Sequence, residues 1–356
     1  MSKLFLVFVI FTFVFINCLY AGRKSNSPQL ALRNDFSEEQ TCKCGKYWMK
    51  DLEDKIINKE IHLKIEYINR GNIGYVFHAY WEEMNKCVAL KKSGMYDMVD
   101  AEVGGLNGIR KLLNDVIQRE VKVLEYINKN VNDDKRNYII KIEERNNGEN
   151  KHFMYIVLEL GGKNLRQYYD EKIKENKNYQ YYMEIIETNE DILIKLIKGA
   201  ALALEQFHNF GVHGNVRPEN FVISLEQNPG LDFIEVKLID FKTSIVGDLT
   251  PLPDTEHLAT DIKAPEIKET DNLTREADIW AFGLMVEDLL PPELSNDHMF
   301  IQTKPNTKLN RVINECLRED PNDRPKINEI YEFLNNEIKF LTENDEKDQK
   351  EIAENK

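Results

Sequence analysis

The residues from Asp191 to Lys242 constrain this chain more than any other stretch. Asp191 to His208 sets Ile192, Leu193, Leu196, Ile197, Ala200, Leu204 and Phe207 at helical spacing, which predicts an amphipathic helix. A polar turn follows, His213-Gly214-Asn215-Val216-Arg217-Pro218-Glu219-Asn220-Phe221-Val222. A short apolar strand, Val236-Lys237-Leu238-Ile239, then ends in Asp240-Phe241-Lys242. The order is helix, polar loop, and a strand that delivers an acid and an aromatic at its end.

That order resembles the catalytic loop and metal-binding strand end of the eukaryotic protein kinases, H-R-D-L-x-x-x-N and D-F-G. The two patterns align without gaps, and three positions depart. Asn215 stands where the family has its base aspartate, Gly214 where it has the preceding arginine, and Lys242 where it has the glycine of D-F-G. Arg217 replaces the catalytic-loop lysine.

The resemblance extends over residues 61–340. Asn69-Arg70-Gly71-Asn72-Ile73-Gly74-Tyr75-Val76 is similar to the family's glycine-rich loop, with Asn69 at the first glycine. Gly71 and Gly74 keep two positions where backbone without a Cβ approaches phosphates. Two glycines in a hairpin alone are ordinarily a turn. Cys87-Val88-Ala89-Leu90-Lys91 matches the V-A-I-K strand, although a strand-end lysine alone is ordinarily a solvent-facing one. A helix expected over Asn114 to Asn128 supplies Glu120, the implied partner of Lys91. The segment Ser93 to Leu113 is long for this connection and suggests an extra loop. Met154 to Gly162 reads as a buried strand entering the hinge, with Leu158 as gatekeeper and the backbone of Glu159 and Leu160 at the adenine edge. Residues 171–190 are polar and read as a surface insertion.

Beyond Phe241 the activation segment runs to Ala264-Pro265-Glu266, matching A-P-E. It carries Thr250, Thr255 and Thr260, but Ala259 occupies the threonine position five residues before the A-P-E alanine. Thr274 to Leu290, with Asp278-Ile279-Trp280-Ala281-Phe282-Gly283, matches the central helix of the larger lobe. Asp320-Pro321-Asn322-Asp323-Arg324-Pro325 matches an element whose Arg324 should pair with Glu266. The implied fold is α+β and two-lobed: a small β-rich N-lobe over 61–159 and a larger, mainly α-helical C-lobe over 160–340.

The 356 residues suffice for one large two-lobed domain. A net charge of -14 argues against a nucleic-acid surface as the main business. After Lys3, residues Leu4 to Ile16 form an apolar run, followed by smaller residues up to Ala21-Gly22. A basic start, a short apolar core and a small residue predict a signal peptide over 1–21, cut after Ala21. The competing reading is an uncleaved membrane anchor. Cleavage implies a soluble protein of the secretory lumen or outside the cell, with no stable membrane association. Residues 22–60 read as a linker and flanking segment, and 341–356 as a charged, frayed tail. Cys18 leaves with the signal. Cys42, Cys44, Cys87 and Cys316 remain with their pairing open, and Cys316 falls on an apolar helical face. Asn272-Leu273-Thr274 is a glycosylation acceptor motif just before the central helix.

The resemblance implies ATP and Mg²⁺ as ligands. Gly71, Gly74, Val76, Ala89, Lys91, Glu120, Glu159 and Leu160 would hold the nucleotide, and Asp240 and Asn220 the metal. The loss falls on chemistry, because the amide of Asn215 orients a hydroxyl but accepts no proton. General-base assistance is worth about 10²–10⁴-fold. Three readings follow: a secreted ATP-binding pseudokinase acting on a protein partner, a weakly active Ser/Thr kinase using Asp240 or Glu219 as base, or an interaction module that keeps only the fold. Intact Lys91, Glu120, Asp240 and Asn220 favour the first two, and Asn215, Gly214, Lys242 and Ala259 favour the first.

Overall fold

A computed structural model of the chain describes residues 61–71, 74–81, 83–93, 106–145, 155–179, 189–249, 263–270, 272–290 and 307–354. The expected signal peptide, linker, Cys42, Cys44, glycine-loop tip and activation-segment threonines lie outside those residues.

Five antiparallel strands form the smaller lobe: β1 (Ile61–Gly71), β2 (Gly74–Trp81), β3 (Lys86–Ser93), β4 (Ile142–Arg145) and β5 (Tyr155–Glu159), in the order β1-β2-β3-β5-β4. The period-two pattern divides β3 between two faces. Val88 and Leu90 join Ala79, Trp81, Tyr155 and Val157 in an outer cluster. Ala89 points the other way, with Ile156 and Leu158, into the main core. Helix α1 (Leu106–Asn130) packs on that inner face through Ile117, Val121, Leu124 and Ile127. It begins eight residues before the expected Asn114, so the latter part of the supposed extra loop is helical.

The larger lobe is built on α2 (Leu165–Tyr179), α3 (Asn189–His208), α4 (Pro265–Thr270), α5 (Arg275–Leu289), α6 (Lys308–Cys316), α7 (Ile327–Leu334) and α8 (Glu343–Glu354). Two short antiparallel strand pairs, β6 (Gly211–Val212) with β9 (Ile245–Val246) and β7 (Phe221–Ile223) with β8 (Val236–Leu238), frame the polar loop. Helix α3 matches its apolar spacing, with Leu193, Leu196, Ile197, Ala200, Leu204 and Phe207 fully buried. Helix α5 is buried on nearly every side and is capped by Thr274, whose hydroxyl accepts from the Ala277 amide at 3.2 Å. Asn272 of the glycosylation motif is exposed just ahead of that cap.

One expectation is filled in and one is corrected. Residues 171–179 of the expected polar insertion are the helical second half of α2, which their composition did not announce. The charged tail is also ordered: α8 docks on α6 by buried Asp345, which accepts from Arg311 Nε at 2.9 Å and Nη2 at 2.7 Å. Arg318 reaches Asp348 at 2.9 Å, and the Thr342 hydroxyl caps the helix on the Asp345 amide at 3.0 Å. Cys316 is buried as its face implied, and burial pushes its thiol far up. Neither Cys87 nor Cys316 is in a disulfide among the described residues. No described helix is long and apolar enough to cross a membrane.

Candidate functional site

The strand and helix that carry Lys91 and Glu120 bring them together from opposite sides of the inner sheet face. Lys91 follows Ala89 by one pleat, and Glu120 lies on the buried stripe of α1 between Ile117 and Leu124. The Lys91 Nζ meets Glu120 Oε2 at 2.5 Å and Asp240 Oδ1 at 3.3 Å. Val76 pairs with Lys91 across β2–β3, Ala89 pairs with Leu158 across β3–β5, and Gly71 opposes Gly74 at the β1–β2 turn. Val76, Ala89 and Lys91 thus share the inner sheet face with Gly71 and Gly74 at its rim, Glu120 reaches it from α1, and the Glu159 side chain falls on the other face, opposite Val88. One detail differs: the Glu159 amide donates to the Lys141 carbonyl at 2.9 Å, and its carboxylate pairs with Lys237 at 2.5 Å. That amide is therefore committed within the protein.

Asp240 sits at the end of β8 in a left-handed conformation, φ 68° and ψ 69°, before the 3₁₀ turn Phe241–Thr243. Few non-glycine residues adopt it, so the surroundings must hold it there. Phe241 does so from below: its ring is fully buried, stacked on Phe207 with centroids 5.2 Å apart and edge-on to His213 at 5.6 Å. The Ser244 hydroxyl donates to the His213 carbonyl at 2.9 Å. Arg119, next to Glu120 on α1, donates to the carbonyls of Ser244 at 2.7 Å and Leu249 at 3.3 Å. The start of the activation segment is thereby fastened to the helix that supplies Glu120.

The polar loop hangs from α5. The Asp278 carboxylate accepts from the amides of His213 at 2.7 Å and Gly214 at 2.8 Å, and lies 2.9 Å from His208 Nε2. Gly214 has φ +74°, and a Cβ there would lie 3.0 Å from the Thr243 carbonyl and 3.1 Å from Leu273. Asn220 donates through Nδ2 to the Asn215 carbonyl at 2.8 Å, closing the loop on itself. Arg217 pairs with Glu219 at 2.7 Å, and both are about 40% exposed (42% and 40%), so the pair is weak and breakable by a ligand.

Electrostatics at the acid are unusual. Lys91 holds one Asp240 oxygen, and the Lys242 ammonium holds the other. Burial by itself would raise the Asp240 carboxyl, but Lys91 and Lys242 override it and hold the group far below the carboxylate range. Burial would likewise lower Lys91, yet Glu120 and Asp240 keep it firmly charged. So strongly ionised a carboxylate is a poor proton acceptor, whereas Glu219 is held only by its half-exposed pair with Arg217.

The divalent cation implied by the resemblance would fall to Asp240 and Asn220. The donor set does not fit it as arranged. The misfit lies at Asp240, both of whose oxygens face ammonium groups, whereas Asn220 still has its neutral amide oxygen to offer while its Nδ2 donates to the Asn215 carbonyl. Among the described residues no three His, Cys, Asp or Glu side chains cluster as a metal site.

The sequence patterns point to Lys91, Glu120 and Asp240, which the fold joins in one ion-pair cluster, and to Asn220, which lies against Asn215, but not to Asp278 and Arg119 as anchors. A buried acid inside an otherwise apolar helix was a usable signal for Asp278. Nothing in the sequence around Arg119 marks its partners, which lie 125 and 130 residues away.

The domain model for the protein kinase domain matches residues 63–334. A probable serine/threonine-protein kinase mps1 of Dictyostelium discoideum is 25% identical over 315 residues, 82% of this chain and 28% of that protein. Pollen receptor-like kinase 1 of Petunia integrifolia is 26% identical over 133 residues, 36% of this chain and 17% of that protein. A probable inactive L-type lectin-domain containing receptor kinase III.1 of Arabidopsis thaliana is 25% identical over 175 residues, covering 39% of this chain and 25% of its own length. The chain therefore spans less than half the length of these curated relatives. With the ordered motifs, the two-lobed architecture and the matched domain in agreement, the chain belongs to the protein kinase domain family.

Proposed function

We propose that this protein is an ATP-binding pseudokinase of the secretory route that acts through contacts with a protein partner. One observation carries the reading: Lys91, Glu120 and Asp240 are joined in a single ion-pair cluster, while the base position of the loop is Asn215. Positioning and charge supply most of phosphoryl-transfer catalysis, so a nucleotide site survives the loss of a base better than turnover does. Export rests on the N-terminal order of basic, apolar and small residues. N-terminal sequencing of exported material tests it: a chain starting at Gly22 is expected, and an intact Leu4 to Ile16 run overturns it.

The weakly active Ser/Thr kinase is the second reading. It draws support from the same ion pair and from relatives named as kinases, whereas one relative is named as probably inactive. Melting of the full chain with and without ATP, beside radiolabel transfer to generic protein substrates, separates the readings. ATP at about 100 times its Kd should stabilise the chain by roughly 2.7 kcal/mol, and Lys91→Ala should remove the effect. A melting temperature indifferent to ATP would leave only the interaction-module reading. Robust transfer that Asp240→Asn abolishes would establish the kinase.

A further inference from the structure

On the nucleotide-binding reading above, we propose that this site takes its nucleoside triphosphate without a divalent cation, the Lys242 ammonium serving as counter-charge to the phosphates. Where the family has glycine after the D-F pair, no side chain competes for the acid. Here the 3₁₀ turn Phe241–Thr243 folds Lys242 back onto one Asp240 oxygen while Lys91 occupies the other. The turn is not free to carry the lysine away: Phe241 is buried against Phe207 and His213, and Ser244 is bonded to the His213 carbonyl. The Lys242 side chain is 28% exposed, more than its partner Asp240 at 15%, so it is the member of the pair that solvent and a ligand meet first.

Charge explains the consequence. With glycine at this position, Lys91 would face the two acids Glu120 and Asp240, a local excess of negative charge that repels a polyphosphate until a cation enters. With Lys242 the four groups balance before any ligand arrives. A divalent ion on Asp240 would then sit within a few ångströms of a fixed ammonium, and like charges at that range oppose each other. Asn220 adds only a neutral amide oxygen and so does not offset that repulsion; its Nδ2, donating to the Asn215 carbonyl, takes no part in metal binding.

Calorimetry and melting of the full chain with ATP, in EDTA and in excess Mg²⁺, test the proposal. ATP is expected to bind in EDTA at least as tightly as in Mg²⁺. Lys242→Met should weaken binding in EDTA by about tenfold or more, the worth of one charge-assisted contact, and Lys242→Arg should retain it. Lys242→Gly should convert the site to one that needs Mg²⁺. Binding of ATP only with Mg²⁺ in the wild type, or EDTA binding unmoved by Lys242→Met, would overturn the cation-free site and leave nucleotide binding standing. No binding in either buffer would instead overturn the nucleotide reading on which the proposal rests.

Discussion

Asn215 and an aspartate fill the same space, so exchanging them tests proton acceptance with little disturbance of shape. Asn215→Asp should raise phosphoryl transfer from its background, by less than the full 10²–10⁴-fold of a general base, because Lys242 still alters the neighbouring acid. The pair with Lys242→Gly must be measured directly, since side chains in one cluster do not act additively. A double variant that binds ATP yet transfers nothing would place the defect in substrate docking. Gly214 carries a different lesson. The resemblance marks it as a missing arginine, whereas the structure shows a left-handed backbone at φ +74° pinned to Asp278. Gly214→Ala should cost about 1–2 kcal/mol in urea unfolding, from the left-handed strain alone; an unchanged midpoint would contradict it. His213 makes the loop sensitive to acid. Burial lowers its imidazole below the ordinary 6.5, and Asp278 and the Ile239 carbonyl offset only part of that. Below pH 6.5 the unfolded chain binds a proton that the folded chain refuses, so stability falls as pH drops from 6.5 toward the lowered value. Melting curves across that window should show a drop that His213→Asn flattens, and parallel curves would sink the assignment. Lys91, Glu120, Asp240 and Asn220 were legible because each sits at a fixed spacing within its own strand, helix or loop. That Lys242 sets a cation beside Asp240 was legible from its position too, but its closure onto one Asp240 oxygen was not, since that depends on how one turn folds.

At the scale of elements, periodic apolar residues told the truth and charge did not. The α3 stripe and the alternation in β3 were readable because burial selects residues at the period of the backbone. Helix α8 was misread as a frayed tail because its residues are charged almost throughout. Its one buried acid, Asp345, finds Arg311 across 34 residues, and no local pattern announces such a partner. The Arg324–Glu266 pair was foreseen only through the family pattern. It forms as a two-pronged contact, Nη1 to Oε1 at 2.7 Å and Nη2 to Oε2 at 2.9 Å, with the guanidinium 5.0 Å over the Trp280 ring. Asp345→Ala tests how far α8 is part of the fold. It strands Arg311, which is 17% exposed, and should cost roughly 3 kcal/mol, the low end for a broken buried pair because some solvent reaches the arginine. A loss under about half a kcal/mol would make the docked helix incidental.

Across the whole molecule, one apolar core runs through both lobes. Ala89, Ile156 and Leu158 of the sheet and Ile117 and Leu124 of α1 belong to the same buried cluster as Leu196, Phe207, Phe241 and Phe282 of the larger lobe. The polar counterpart is the cluster of Lys91, Glu120 and Asp240, which again draws one group from each of β3, α1 and the end of β8. Removing either lobe would expose apolar surface on the other, so the lobes should lose structure together. Two tryptophans report on this from opposite sides. Trp81 is buried in the outer cluster of the sheet, and Trp280 lies beneath Arg324 in the larger lobe. Urea unfolding of the Trp48→Phe variant carrying Trp81→Phe or Trp280→Phe, which leaves one tryptophan each, followed by fluorescence and by far-ultraviolet circular dichroism, should give coincident transitions within each variant. On the proposed nucleotide reading, ATP should move both reporters by the same free energy, because a ligand of the native state stabilises every part that unfolds with it. Separate midpoints for the two probes, or an ATP shift confined to the Trp81 signal, would mean that the sheet melts as its own unit and that the shared core does not couple the lobes.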